Sequence, residues 1–301
     1  MHPIKRIIAF TVQFLLKYME EIKFTKMHGI GNDYVYIDCM NHTPDRLAEL
    51  SIEMSDRHTG IGGDGIILIL PSDVADFKMR IFNADGSEAK MCGNGIRCVG
   101  KYVYDNGLTS KTDIAVDTNS GIKYLRLIPG NDGKIIEVTV DMGEPVLVAA
   151  QVPVKYGSEK MIEAQVETLT GGNLAVTAVS MGNPHGVIFY EEDTPDVHVT
   201  GRELEMHPMW PDRANIEFAR IISPSEISMR VWERGSGETM ACGTGACATA
   251  VAAITTGRTG RNVTIHLLGG DLRIFWNPDN NHVYMTGGAT TVFTGTYTRQ
   301  K

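Results

Sequence analysis

The stretch MRIFNADGSEAKMCGNG at residues 79–95 returns as MRVWERGSGETMACGTG at residues 229–245. At this offset of 150, Met79 falls on Met229, Arg80 on Arg230, Glu88 on Glu238 and Cys92 on Cys242. Gly93 and Gly95 likewise fall on Gly243 and Gly245. Each copy reads as a strand, a polar glycine-containing turn, Cys-Gly-x-Gly, and then an apolar helical pattern. Gly31-Asn32 in HGIGNDYVYID and Gly182-Asn183 in VSMGNPHGVIF keep the same register to within one residue. Two landmark pairs at one spacing indicate an internal duplication. One equivalent cysteine per half places the expected site between the halves, with a thiol on either side.

A length of 301 residues gives two domains as the starting expectation and is enough for two cores. A hydrophobic share of 43% with 21% charged residues fits an ordinary water-soluble fold. The net charge of −8 argues against nucleic acid or an anionic membrane surface as partner. Five cysteines, at 39, 92, 98, 242 and 247, are an odd number and too sparse for a disulfide framework. Free thiols in a reducing, cytoplasmic compartment are expected.

Lys5-Arg6 followed by IIAFTVQFLL has the outline of a signal peptide, but no small-residue cleavage site follows it. The apolar run is also about half of the roughly 20 residues that span a bilayer. Residues 1–21 are therefore read as an extension ahead of the fold, with Met19 an alternative start.

From residue 22 short strands dominate. EIKFTKMHGIGNDYVYIDCM gives two strands around a glycine turn, and residues 44–56 carry helical spacing. HTGIGGDGIILIL then gives a glycine loop and an apolar strand. The letters G-x-G-x-x-G occur at Gly60, Gly62 and Gly65. A dinucleotide fingerprint must leave a strand and enter a helix; here a helix precedes and a strand follows, so nucleotide binding is excluded. Buried helices of about four turns are expected after both Cys-Gly-x-Gly motifs. Strands are expected over 112–150, 160–180 and 262–297, with Met142-Gly143-Glu144-Pro145 as the seam between halves.

Cys92 and Cys242 stand at the first turns of these helices. Free N–H groups there bind an anion such as a carboxylate, and the helix end favours thiolate over thiol. Both thiols are thus expected below the usual range, sharing one proton because two thiolates repel. A thiolate facing a thiol across a carboxylate pocket is what two-base racemisation requires. A buried cysteine is more often a small apolar core residue, which is the reading for Cys39, Cys98 and Cys247. No C-x-x-C occurs and the nine histidines lack ligand spacing, so no metal is expected.

GIGNDYVYID, ADGSE..MCGNGIRC, MGNPH and ERGSGET.ACGTGAC together resemble the diaminopimelate epimerase family, over roughly residues 22–297. The resemblance implies interconversion of LL- and meso-diaminopimelate without a cofactor, for lysine and cell-wall precursor synthesis. It implies an α+β fold of two pseudo-symmetric domains, each a bent mixed β-sheet or barrel wrapped around a central helix. The halves would be 22–142 with 288–301, and 143–287. Cys92 and Cys242 fall on the family's catalytic cysteines.

Carried over by motif, the N–H groups of Gly93, Asn94, Gly243 and Thr244 would hold the reacting carboxylate, with Asn32 near the reacting amino group. Asn83, Asn183, Asn215, Glu233 and Arg234 would grip the distal end, Arg234 as a bidentate carboxylate partner and Glu233 as an ammonium partner. His185 is a candidate for the pocket wall. One departure is Gly65, where some members carry glutamine. The implied partner is diaminopimelate, with no nucleic acid and no membrane, and the chain is compatible with a homodimer. Two alternatives remain: a proline-type racemase of the same fold, disfavoured by Glu233-Arg234 and the asparagines, and a thiol–disulfide oxidoreductase.

Overall fold

The structure, a computed structural model, describes residues 19–169, 172–191 and 195–300. The expected extension lies outside the described residues up to position 18, and the first strand already opens at Met19. Among the described residues no helix is long and apolar enough to cross a membrane.

Strands β1 (Met19–Gly29) and β2 (Asn32–Asp38) form a hairpin in which Gly29 pairs with Asn32. Its turn residues Ile30 and Gly31 have φ of 48° and 89°, the left-handed pair that matches strand twist in a two-residue hairpin. Helix α1 (Leu47–Ser55) crosses over to β3 (Gly65–Leu70), which lies parallel to β2. Next come β4 (Phe77–Asn83) and β5 (Glu88–Ala89), then helix α2 (Gly93–Asp105). A meander of β6 (Asp113–Asp117), β7 (Lys123–Pro129) and β8 (Ile135–Asp141) closes this half.

The second half repeats the plan. Strands β9 (Ala164–Glu167), β10 (Asn173–Ser180) and β11 (Pro184–Phe189) lead through helix α3 (Val197–Glu205) to β12 (Asn215–Ser223), parallel to β11. Then follow β13 (Glu226–Glu233), β14 (Gly237–Glu238), helix α4 (Gly243–Thr255) and the meander β15 (Asn262–Leu267), β16 (Gly270–Trp276) and β17 (Val283–Gly288). The long β18 (Thr290–Gln300) returns to pair antiparallel with β1, as β9 pairs with β10. The 150-residue offset relates α1 to α3, β3 to β12 and α2 to α4. Helix α3 and the strands flanking it went unread in the sequence. Asp196, whose carboxylate accepts from the N–H groups of His198 and Val199, was its local start signal.

Both long helices are buried along most of their length, as a central helix must be when a sheet wraps it. The class is therefore α+β, as expected. Two separate cores, however, are not what forms. One apolar cluster runs through both halves, from Tyr36, Ile96 and Val99 through Met142 and Met285 to Ala246 and Val251. The halves are also stitched by β8 pairing antiparallel with β17. Smaller clusters fill the outer layers, around Leu50 and Met54 of α1 and around Leu204 of α3 with Trp210.

At Gly65 a Cβ would lie 2.1 Å from the Phe82 carbonyl oxygen, so the backbone leaves no room for a side chain there. Gly65→Gln should destabilise the fold by ~1–3 kcal/mol, the usual cost of overpacking. It should read as a lower urea midpoint at unchanged slope. An unchanged midpoint would contradict this strand contact.

Candidate active site

The duplication makes two equivalent local structures and the shared core brings them together. Cys92 is the N-cap of α2 and Cys242 the N-cap of α4, both with extended backbone angles. The first turns of the two helices abut: a Cβ on Gly93 would lie 3.9 Å from Cα of Gly243, and one on Gly243 would lie 3.5 Å from Oδ1 of Asn94. A Cβ at either glycine would also strike Met285, at 2.9 Å for Gly93 and 3.1 Å for Gly243. Only glycine allows the helices this close. Asn94, buried, donates from its amide to the Ala241 carbonyl at 3.0 Å, tying one first turn to the residue before the opposite cysteine.

The Cys92 thiol, half-buried, donates to Asn32 Oδ1 at 3.3 Å and accepts the Gly95 N–H at 3.3 Å. Asn32 is held in turn by donating to Asp64 Oδ2 at 2.7 Å. The hairpin turn that carries Asn32 leans on the second half, where a Cβ on Gly269 would lie 1.9 Å from the Ile30 carbonyl oxygen. Cys242 is buried and faces the Thr244 hydroxyl at 3.6 Å.

Around Cys242 the residues are more polar. His185 Nδ1 lies 2.7 Å from Glu217 Oε1, both side chains fully buried, and His185 Nε2 lies 3.0 Å from Asn183 Oδ1. Glu233 accepts the Thr239 hydroxyl at 2.5 Å. Asn215, buried, donates to the Pro184 carbonyl at 3.1 Å and accepts the Arg234 backbone N–H at 3.0 Å. Two expected ligands have polar partners within the protein instead. Asn83 donates to Ser87 Oγ at 3.1 Å, and the exposed Arg234 guanidinium donates to the Asp212 carbonyl at 2.8 Å.

The expectation of acidic thiols is reversed. Burial pushes the Cys92 thiol up, and the Glu233 charge adds to it, against the N–H groups of Gly95 and Asn94 and the cation of Arg97. Cys242 is pushed well above the usual thiol range by burial, then by Glu233 and Glu217. Glu233 is itself raised by burial, with Thr239 and Cys242 pulling the other way. Desolvation outweighs the helix-end effect, worth ~2 kcal/mol at most, because the same closeness that aims two helices at one spot also excludes water.

The sequence reading overlooked Asp64, Glu217 and Arg97. Glu217 had a local signal: a carboxylate inside the apolar run of β12, at the place where the first half carries Ile67. Asp64 and Arg97 had none, since a loop aspartate and a helix arginine are solvent-facing by default.

Comparison with known proteins shows what this chain is similar to. A family model described as diaminopimelate epimerase matches residues 24–148 and 177–292. A diaminopimelate epimerase of Desulfovibrio desulfuricans is 54% identical over 282 residues, covering 92% of this chain and 98% of that one. One of Methanococcus maripaludis is 52% identical over 276 residues, covering 91% and 99%. Among solved structures, a phenazine biosynthesis protein of Bacillus anthracis superposes with TM-score 0.69 at 16% identity, covering 92% of this chain and 99% of that one. A hydroxyproline epimerase of Agrobacterium vitis superposes with TM-score 0.67 at 15% identity, covering 94% and 93%.

Because the Glu233 charge raises both thiols, Glu233→Gln should lower both of their titration midpoints. Below those midpoints, iodoacetamide should alkylate Cys92 and Cys242 about 3- to 10-fold faster, the effect of ~0.7–1.4 kcal/mol. Rates read by peptide mass spectrometry that stay equal would remove the Glu233 carboxylate from the thiols' surroundings.

Proposed function

This chain belongs to the diaminopimelate epimerase family, and from that premise we propose that it interconverts LL- and meso-diaminopimelate with Cys92 and Cys242 as a thiolate/thiol pair and no cofactor. Family membership makes it an isomerase. The observation that carries the two-base reading is the meeting of two helix N-termini, each capped by a cysteine.

In this reading the reacting carboxylate lies on the N–H groups of Gly93, Asn94, Gly243 and Thr244. As the α-proton leaves, negative charge flows onto that carboxylate, and preorganised N–H groups stabilise charge that develops in the transition state. The thiolate on one face removes the proton while the thiol on the other delivers one. Burial makes the thiolate scarce but strongly basic once formed, which suits a weakly acidic α-carbon. The substrate's α-ammonium, near Asn32, brings a positive charge that favours forming it. Glu233, Asn83, Asn183, Asn215 and Arg234 serve the distal amino-acid end. Arg234 then exchanges its carbonyl partner Asp212 for a carboxylate, a stronger bidentate contact.

The division 22–142 with 288–301 against 143–287 fits this chemistry, since β18 belongs by hydrogen bonding to the first-half sheet and each part then supplies one thiol. Both thiols come from one chain, so no second copy is needed to complete the site. We place the enzyme in the cytoplasm, where unpaired thiols persist.

Cys92→Ser or Cys242→Ser should nearly abolish epimerisation, because a hydroxyl is a far weaker base near neutrality. The measurement is deuterium uptake from D2O into diaminopimelate without added cofactor. Retention of more than about a tenth of wild-type turnover, a loss under ~1.4 kcal/mol, would defeat the two-base assignment. Arg234→Met should raise KM for diaminopimelate steeply while folding is unaffected. An unchanged KM would take Arg234 out of the pocket and reopen the simple-racemase reading.

A further inference from the structure

Arg97 is fully buried, the largest side chain of the described residues to be so. Its Nη1 donates to the Gly93 carbonyl at 3.2 Å and to Asn94 Oδ1 at 3.0 Å, and its Nε to the Gly288 carbonyl at 3.3 Å. Nη2 is buried without a hydrogen-bond partner. Room for the guanidinium comes from two glycines: a Cβ on Gly29 would lie 3.0 Å from Nη2, and one on Gly287 3.3 Å from Nε. The groups whose ionised charge would oppose its own are Cys92 and Cys98 on its helix, Tyr36 on β2 and Cys247 on α4. None is a carboxylate.

A buried cation without a counter-ion is among the most costly groups a fold can hold. Core packing does not call for one here, where a leucine or methionine would fill the space. The contacts of Arg97 are instead specific. It grips the carbonyl of one expected carboxylate-binding residue and the side chain of the next, and Asn94 passes the contact on to Ala241, beside Cys242.

We infer that Arg97 is a positioning residue. It fixes the first turn of α2 and Asn94, and it sets a permanent positive charge behind the place where the two helices meet. The natural counter-charge for that cation is the anion formed or bound in front of it, either the Cys92 thiolate or a substrate carboxylate. The carboxylate part rests on the epimerase reading; the thiolate part does not.

The charged and titratable groups around Cys92 are Arg97 and Cys98 from α2, Tyr34 and Tyr36 from β2 and Glu233 from β13. Cys242 faces Glu233 and Glu217. The test is the pH dependence of iodoacetamide alkylation of the whole chain without substrate, read for each cysteine by peptide mass spectrometry. In the unaltered protein Cys92 should have a lower midpoint than Cys242. Arg97→Gln, neutral but still a donor, should slow alkylation of Cys92 about tenfold at a pH below its midpoint, with a smaller effect on Cys242. Arg97→Lys, which keeps a cation, should stay within about threefold of wild type.

The inference is overturned if Arg97→Gln melts like wild type and leaves the Cys92 midpoint in place, or if Arg97→Lys slows Cys92 as much as Arg97→Gln. It is also overturned if Cys242 in the unaltered protein titrates at or below Cys92, a comparison that stands even where the glutamine variant fails to fold. A second arm uses diaminopimelate to protect Cys92 from alkylation, which Arg97→Gln should weaken about tenfold. No protection in the wild type would sink the epimerase reading, while the alkylation midpoints would still judge Arg97.

Discussion

Two helices are made to point their N-terminal ends at one spot, and the rest of the fold serves that constraint. The arrangement is unfavourable alone. The electropositive ends of α2 and α4 repel, and the N–H groups of their first turns have no partners within the helices. What holds them is packing of Met285 against Gly93 and Gly243, the Asn94 bridge to Ala241, and a core continuous across the halves. An anion between the two ends relieves the repulsion and satisfies the donors together. The proposed carboxylate site thus follows from the packing.

The frame is nearly two-fold symmetric, but its side chains are not. Gly65 in β3 stands where Asn215 stands in β12, Ile67 where Glu217 stands, and Asn83 where Glu233 stands. The first half therefore surrounds its thiol with Tyr34, Tyr36, Asn32 and the cation of Arg97, while the second supplies Glu217, Glu233 and His185. A symmetric pocket would treat both ends of a substrate alike. This one gives the two thiols different electrostatic surroundings, and in the proposed reading that asymmetry separates a reacting end from a distal end.

Under the proposed two-base reading, burial also changes how the pair works as an acid–base device. The helix ends and Arg97 pull the thiols toward ionisation, while desolvation and the carboxylates push harder the other way. Low thiolate content with high basicity is a different design from a thiolate standing ready at neutral pH. It couples ionisation to whatever positive charge enters the site.

The sequence by itself determined the duplication, the helix after each Cys-Gly-x-Gly, the equivalence of Cys92 and Cys242 and the family, because these are carried by periodicity and by residue types at fixed offsets. The turn carrying Asn32 was legible for the same reason, since a two-residue hairpin demands Gly31 or its like. Helix α3 could have been read from Asp196 and the offset. What tertiary structure alone decided is everything set by distance between halves. Merging two expected cores into one, burying Arg97 under the helix ends and setting Glu217 beside Cys242 depend on contacts between residues far apart in the chain. The direction of the thiol shifts belongs there too. A helix N-terminus is a local feature that sequence reveals, whereas desolvation depends on what the opposite half places in front of it.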